Sequence, residues 1–257
     1  MKKPCAVREA VMLPVVVIPV FNHALKIGAL VDAVRAQELP CLLVDDGSEP
    51  VCAKVLMQLA AENPATVNLV RLPCNRGKGA AVMAGFREAA RRGYSHVVQI
   101  DADGQHDAAD IAGFLREARN FPEAMIIGCP KFDASVPKGR LYGRYLTHVW
   151  VWINTLSVDI RDSMCGFRVY PLPPVLRLID TVRVGRRMDF DIEILVRLHW
   201  TGVAVRNRDT CVNYPPDGIS HFDLLRDNLR ISRMHAMLFF GMLWRLPWLL
   251  TRKRKGS

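Results

Sequence analysis

No C-x-x-C pair occurs in this chain, and its seven cysteines, Cys5, Cys41, Cys52, Cys74, Cys129, Cys165 and Cys211, are scattered and odd in number. That pattern excludes a disulfide framework and a zinc ribbon, and it predicts reduced thiols in a cytosolic protein. Internal repeats and low-complexity tracts are also missing. Half of the 257 residues are hydrophobic and there are 17 Gly and 16 Pro, an ordinary globular composition that argues against disorder. The longest apolar run, Met237 to Leu250, is broken by Arg245 and Pro247, so it falls short of the roughly 20 residues that span a bilayer. Lys2-Lys3 ahead of Val11 to Ile18 looks superficially like a signal peptide, but no small-residue cleavage site follows. Neither a G-x-x-x-x-G-K-[ST] loop nor a G-x-G-x-x-G turn is present. With no helix-turn-helix, zinc or RNA-binding signature, nucleic acid is not an expected partner.

Acidic residues are in the minority, 25 against 35 Lys and Arg, and the net charge of +10 predicts an anionic partner. Position says more than the total does. Arg252-Lys253-Arg254-Lys255 directly follows the Trp-containing run ending at Leu250, a combination that reads as an interfacial anchor on an anionic leaflet. A helix packed on the core with a frayed basic end would look the same. The length suits one α/β domain plus a tail.

Apolar runs and helical spacing alternate along the chain. Val15 to Ile18 is a strand closed by Pro19, Leu25 to Val34 a helix, and Cys41 to Val44 a second strand that delivers Asp45-Asp46-Gly47-Ser48. This is a right-handed parallel crossover. An acidic residue after the second strand commonly accepts from a ribose hydroxyl or a base. A helix near Val51 to Glu62 and a strand at Val67 to Arg71 lead to Asn75-Arg76-Gly77-Lys78-Gly79, which opens a helix through Arg91. Glycines at a helix start let amides approach an anion, although a plain basic turn has the same composition.

Val97 to Ile100 forms the fourth strand and ends in Asp101-Ala102-Asp103-Gly104-Gln105-His106. Two carboxylates leaving a strand's carboxyl end face the ligand crevice of an open α/β sheet. Hard cations such as Mg²⁺ or Mn²⁺ take such oxygen ligands together with substrate phosphates. A helix at Ile111 to Asn120, a strand at Ala124 to Gly128 and a basic, aromatic segment from Val136 to Val158 follow. Asp162 and Arg168 then offer a base beside a phosphate-binding group, or simply a salt bridge. Asp191 falls near the start of a helix with Phe190, Ile192, Leu195 and Leu198 on its apolar face, where capping alone would explain it.

Taken in order, Val17-Ile18-Pro19-Val20-Phe21-Asn22, Val44-Asp45-Asp46-Gly47-Ser48, Asn75 to Gly79, Asp101 to His106, Cys165-Gly166-Phe167-Arg168 and Phe190-Asp191-Ile192-Glu193 closely resemble family 2 glycosyltransferases. Their dolichol-phosphate mannosyltransferase branch is the nearest in pattern. The resemblance covers residues 13–222, leaving 1–12 as an extension and 223–257 as an amphipathic, basic, membrane-associating tail. It implies a GT-A fold, a Rossmann-like and mostly parallel sheet flanked by helices. It also implies a UDP- or GDP-sugar donor, a divalent metal, Mg²⁺ or Mn²⁺, and inverting transfer to a lipid-linked acceptor at the cytoplasmic membrane face.

Carried over by position, Pro19, Phe21, Asp45 and Asp46 would line the nucleoside pocket and Lys78 would lie by the nucleotide. Asp101 and Asp103 match the metal and diphosphate motif, with Gln105 helping to hold the metal. Arg168 matches an acceptor-site arginine, Asp162 the acidic residue before it, and Asp191 with Glu193 the acidic motif of the following helix. A phosphate acceptor is already anionic and needs positioning; a hydroxyl acceptor would need a base, Asp162 first and Asp191 second. One departure stands out. The branch usually carries an arginine after the fifth strand, where this chain reads Gly128-Cys129-Pro130-Lys131, and lysine lacks the planar fork. A lipid hydroxyl therefore stays open as acceptor. A sugar-1-phosphate nucleotidyltransferase would show a Gly-rich, lysine-containing motif where Pro19 to Asn22 stands, and a non-enzymatic basic membrane-binding module would lack metal-dependent nucleotide affinity.

Overall fold

The computed structural model describes residues 11–131, 138–212 and 223–255. Lys2, Lys3, Cys5 and the approach from Gly218 to Phe222 lie outside the described residues. The first half is a run of crossovers: β1 (Pro14–Val20), α1 (Ala24–Arg35), β2 (Cys41–Asp45), α2 (Pro50–Glu62), β3 (Val67–Arg71), α3 (Lys78–Arg91) and β4 (His96–Gln99). After a 3-10 turn at Ala108–Asp110 come α4 (Ile111–Asn120), β5 (Met125–Lys131) and α5 (Lys138–Thr155). The chain ends with β6 (Arg168–Pro171), α6 (Leu172–Thr181), α7 (Phe190–Trp200), β7 (Val205–Cys211) and α8 (Leu224–Lys255).

One sheet takes the order β3-β2-β1-β4-β6-β5-β7. Only β6 runs antiparallel to its neighbours, β4 and β5. Alternation along each strand divides the core. Val15, Val17, Leu42 and Val44 point to the face covered by α3, α6, α7 and α8, whereas Val16, Ile18, Cys41 and Leu43 point to the face covered by α1, α2 and α4. Both faces being covered is what makes these strands near-continuous apolar runs in the sequence.

Three features differ from the sequence expectation. Pro19 lies inside β1, buried and in register with Val44, rather than ending the strand. The β4 ladder on β1 has already stopped at Val17, so a missing N–H is tolerated there as at an edge. β5 continues past Gly128 to Lys131 because β7 pairs with it along that whole length. β6, α6 and β7 carried no readable signal: β6 has four residues, α6 begins Leu172-Pro173-Pro174, and β7 is the polar edge strand VRNRDTC. The C-terminal amphipathic helix is present as expected, a single 32-residue helix whose Met234, Leu238, Met242 and Leu249 belong to the main core, so its inner face packs on the domain. Among the described residues, no helix is long and apolar enough to cross a membrane.

Candidate active site

The parallel strands β1, β2 and β4 end at one edge of the sheet, and the loops there are pinned together by side chains. Asn22, held at φ 58°, donates its amide to Ser48 Oγ at 3.0 Å and accepts from the Glu49 amide at 2.9 Å. Asp45 is fully buried, its Oδ1 taking the Ser48 amide and its Oδ2 lying 3.0 Å from Arg71 Nε. Asp46 accepts the Arg76 and Gly77 amides at 2.8 and 2.7 Å. Burial raises the Asp46 pKa, against the pull of those two amides and of Arg187. Gly77 turns there at φ +99°, and a β-carbon would collide with Arg186 and Arg187, so glycine is required. Of the expected nucleoside-pocket residues, Pro19 is enclosed in β1 and Phe21 is half-buried at its end.

Lys78, at the first turn of α3, ties two acidic motifs together. Its Nζ lies 2.8 Å from Asp101 Oδ2 and 2.7 Å from Asp191 Oδ2. Burial alone would lower the Lys78 pKa, but Asp101 and Asp191 together raise it well above the usual lysine range. Asp191, in the first turn of α7, also accepts from Gln99 Nε2 at 3.0 Å. Its pKa stays below the ordinary carboxylate value because Lys78 and Arg168 outweigh burial. It is therefore an ion-pair anchor, beyond what helix capping explains.

Arg168, the expected acceptor-site arginine, is enclosed. It is fully buried on β6, donating to Tyr170 Oη at 2.9 Å, the Asp191 carbonyl at 2.6 Å and the Ser163 carbonyl at 2.9 Å. The enclosed guanidinium thus ties β6 to the start of α7, while its Nε is left without a hydrogen-bond partner. Asp162 pairs elsewhere as well. Arg144 of α5 grips it through Nε and Nη2 at 2.7 and 2.6 Å, His148 Nε2 lies at 3.4 Å, and the Met164 and Cys165 amides bind Oδ1. Burial pushes its pKa up, yet the His148 hydrogen bond and the Arg144 charge hold it well below the usual range. Glu193 is bound by Arg197 and by the Gly185 amide.

Asp103 Oδ1 accepts the Gln105 amide at 3.0 Å, and its carbonyl takes Lys26 Nζ at 3.1 Å. Burial and the neighbouring Asp101 charge both raise its pKa. Asp101 Oδ1 is buried and has no hydrogen-bond partner. Two carboxylates in mutual repulsion, one with an orphaned oxygen, are a donor set that fits a hard divalent cation. Among the described residues no group of three or more His, Cys, Asp or Glu forms a closed metal cage, so diphosphate oxygens and water would complete the shell.

Lys26, Arg144, His148 and Gly166 were not legible as site residues. Arg144 and His148 share a helix face at spacing i, i+4, but only the fold shows that this face meets Asp162. Lys131, the lysine at the departed position, is shared with Asp209 at 3.1 Å.

Comparison with known proteins agrees with the geometry. Residues 15–171 match Glycosyl transferase family 2. The chain is 31% identical over 204 residues to the polyprenol monophosphomannose synthase of Mycolicibacterium smegmatis, covering 74% of this chain and 73% of that one. It is 27% identical over 202 residues to the human dolichyl-phosphate beta-glucosyltransferase, covering 70% and 61%. Among solved structures, the glucosyl-3-phosphoglycerate synthase from Mycobacterium tuberculosis in complex with Mn²⁺ and UDP-glucose superposes with a TM-score of 0.62 at 15% identity, covering 90% of this chain and 79% of that one. That likeness gives the fold, GT-A. With a family match across more than half its length and acidic residues gathered at the strand ends, the chain belongs to glycosyl transferase family 2 and is a glycosyltransferase.

Proposed function

We propose that the enzyme transfers a hexosyl group, with inversion, from a UDP- or GDP-sugar to a polyprenyl phosphate at the cytoplasmic membrane face. One observation carries the choice of acceptor. Both carboxylates that could deprotonate a hydroxyl, Asp162 and Asp191, are consumed in buried ion pairs with Arg144 and with Lys78 and Arg168. Their pKa values are lowered, which makes them weak bases. A phosphate acceptor needs no base, because its oxygen arrives already ionised.

In this reading Asp101 and Asp103, with Gln105, would hold Mg²⁺ or Mn²⁺, which would supply positive charge to offset that of the leaving nucleoside diphosphate. Asp46 orders the Arg76-Gly77 backbone beside the nucleotide, and Lys78 adds positive charge at the diphosphate end. Arg168 fixes Asp191 from below and so sets the crevice floor. Support for the membrane comes from α5 and α8, which pack together with Trp150 against Phe239, ring centroids 6.3 Å apart. Tyr142, Tyr145 and Leu146 of α5 and Phe240, Trp244 and Trp248 of α8 are exposed. An exposed aromatic surface on a basic protein suits an anionic interface.

The test is release of nucleoside diphosphate from a panel of UDP- and GDP-sugars, with polyprenyl phosphate or a polyprenol, with and without Mg²⁺ or Mn²⁺. Release that requires metal and the phosphate acceptor, and disappears in Asp103→Ala, is expected. Equal turnover with the polyprenol, or an active Asp103→Ala enzyme, would overturn the reading.

A further inference from the structure

The two carboxylates that Lys78 joins are not equivalent. Asp191 is held from several sides, by Gln99 Nε2 at 3.0 Å, by Arg168 Nη1 at 3.7 Å and by the Arg168 bond to its carbonyl. Asp101 pairs with Lys78 through Oδ2 and keeps a buried oxygen, Oδ1, without any hydrogen bond. A divalent cation arriving at Asp101 thus meets a carboxylate already shared with an ammonium, and two cations on one carboxylate repel. Asp191, 2.7 Å from the same ammonium, is a fixed second seat for it.

We propose that Lys78 is an internal counter-ion that competes with the divalent cation for Asp101 and makes metal binding depend on the nucleoside diphosphate. Metal alone must displace the ammonium toward Asp191 and bear its repulsion. A diphosphate brings negative charge to both cations, so the repulsion becomes attraction to a common ligand. Metal and nucleotide then bind cooperatively, and by linkage each strengthens the other by the same factor. The inference rests on the assignment of the metal to Asp101 and Asp103.

The experiment is Mn²⁺ binding to the full chain, followed by electron paramagnetic resonance, with Mn²⁺ alone and then with UDP or GDP. Lys78→Gln is expected to bind Mn²⁺ alone roughly tenfold or more tighter than wild type, as removing a charge within 4–6 Å implies. Its gain from nucleotide should shrink, and Lys78→Arg should behave like wild type. Unchanged or weaker Mn²⁺ binding by Lys78→Gln, or an undiminished nucleotide gain, overturns the proposal. A readout free of any folding defect uses the wild type: acetylation of Lys78, read by mass spectrometry, must accelerate on saturation with Mn²⁺, and an unchanged rate overturns the proposal. Mn²⁺ binding that survives Asp103→Ala refutes the metal assignment itself. Binding lost in Asp103→Ala but indifferent to Lys78 refutes the counter-ion alone.

Discussion

Gly166 backs directly onto the Asp101 carboxylate: a β-carbon at Gly166 would lie 2.7 Å from Asp101 Cγ and closer still to Oδ2. The glycine is there for space, and the space belongs to the acidic motif. Gly166→Ala should push the carboxylate aside, with small effect on the core. Because misplacing a catalytic group by about 1 Å costs on the order of 100-fold, kcat should fall by about that factor with the melting temperature nearly unchanged. A fully active Gly166→Ala enzyme would show that Asp101 need not sit where it does.

Arg168 should behave as a structural ion. Arg168→Met removes the donor for the Ser163 and Asp191 carbonyls and one of the charges on Asp191. Breaking a buried pair in this way costs about 3–5 kcal/mol, and at this size a melting temperature drops by roughly 2–4 °C per kcal/mol. Were Arg168 instead an acceptor-binding group, calorimetry would find the stability intact and kinetics would find only a raised KM for the acceptor.

Asp162 gives stability a defined acid limb. Its pKa in the folded protein lies below its unfolded value, so its contribution is present above about pH 4, the unfolded carboxylate range, and is lost as pH falls below it. Urea unfolding of wild type and Asp162→Asn should differ at pH 7 and converge toward pH 3. A gap that is constant with pH would mean that the Arg144 and His148 pairing contributes nothing to folding.

His235 produces the opposite charge change in a higher window. It is buried between α5 and α8, stacked on Trp150 at 6.1 Å, and burial pushes its pKa down to about 4. The unfolded chain, with a histidine pKa of about 6.5, binds the proton more readily. Stability therefore falls as pH drops from about 6.5 to 4, by on the order of 2–3 kcal/mol. His235→Leu should flatten that slope in a pH series of melts; an unchanged slope would place the titrating group elsewhere.

The outer and inner faces of α8 should separate cleanly. Trp244 and Phe240 are 86% and 69% exposed, whereas Leu238 is 1% exposed. Trp244→Ser with Phe240→Ser should lower association with anionic vesicles by at least about tenfold, since each aromatic contributes roughly 1.5–3 kcal/mol when buried, and leave melting alone. Leu238→Ala should lose about 2–5 kcal/mol of stability. Vesicle sedimentation that ignores the outer pair would remove α8 from the membrane contact.

The sequence by itself determined the crossovers from β1 to β4, because both faces of those strands are covered and a buried strand must be written in Val, Ile and Leu. It also determined which motifs gather at the strand ends, since Asp46 and Asp101 come at or just after the ends of β2 and β4 and Lys78 opens α3 behind a glycine. β6 and β7 escaped it: one is too short for its period to register, and the other, an edge strand, alternates Arg with polar residues. Only the tertiary structure decided who pairs with whom. Asp162 looked matched to Arg168, six residues along, yet it belongs to Arg144 and His148 on α5, while Arg168 turns under the sheet to Asp191. Spacing along the chain specifies neighbours within an element, but ion pairs between elements depend on which helix packs over which strand end, and that is settled by burial of the core.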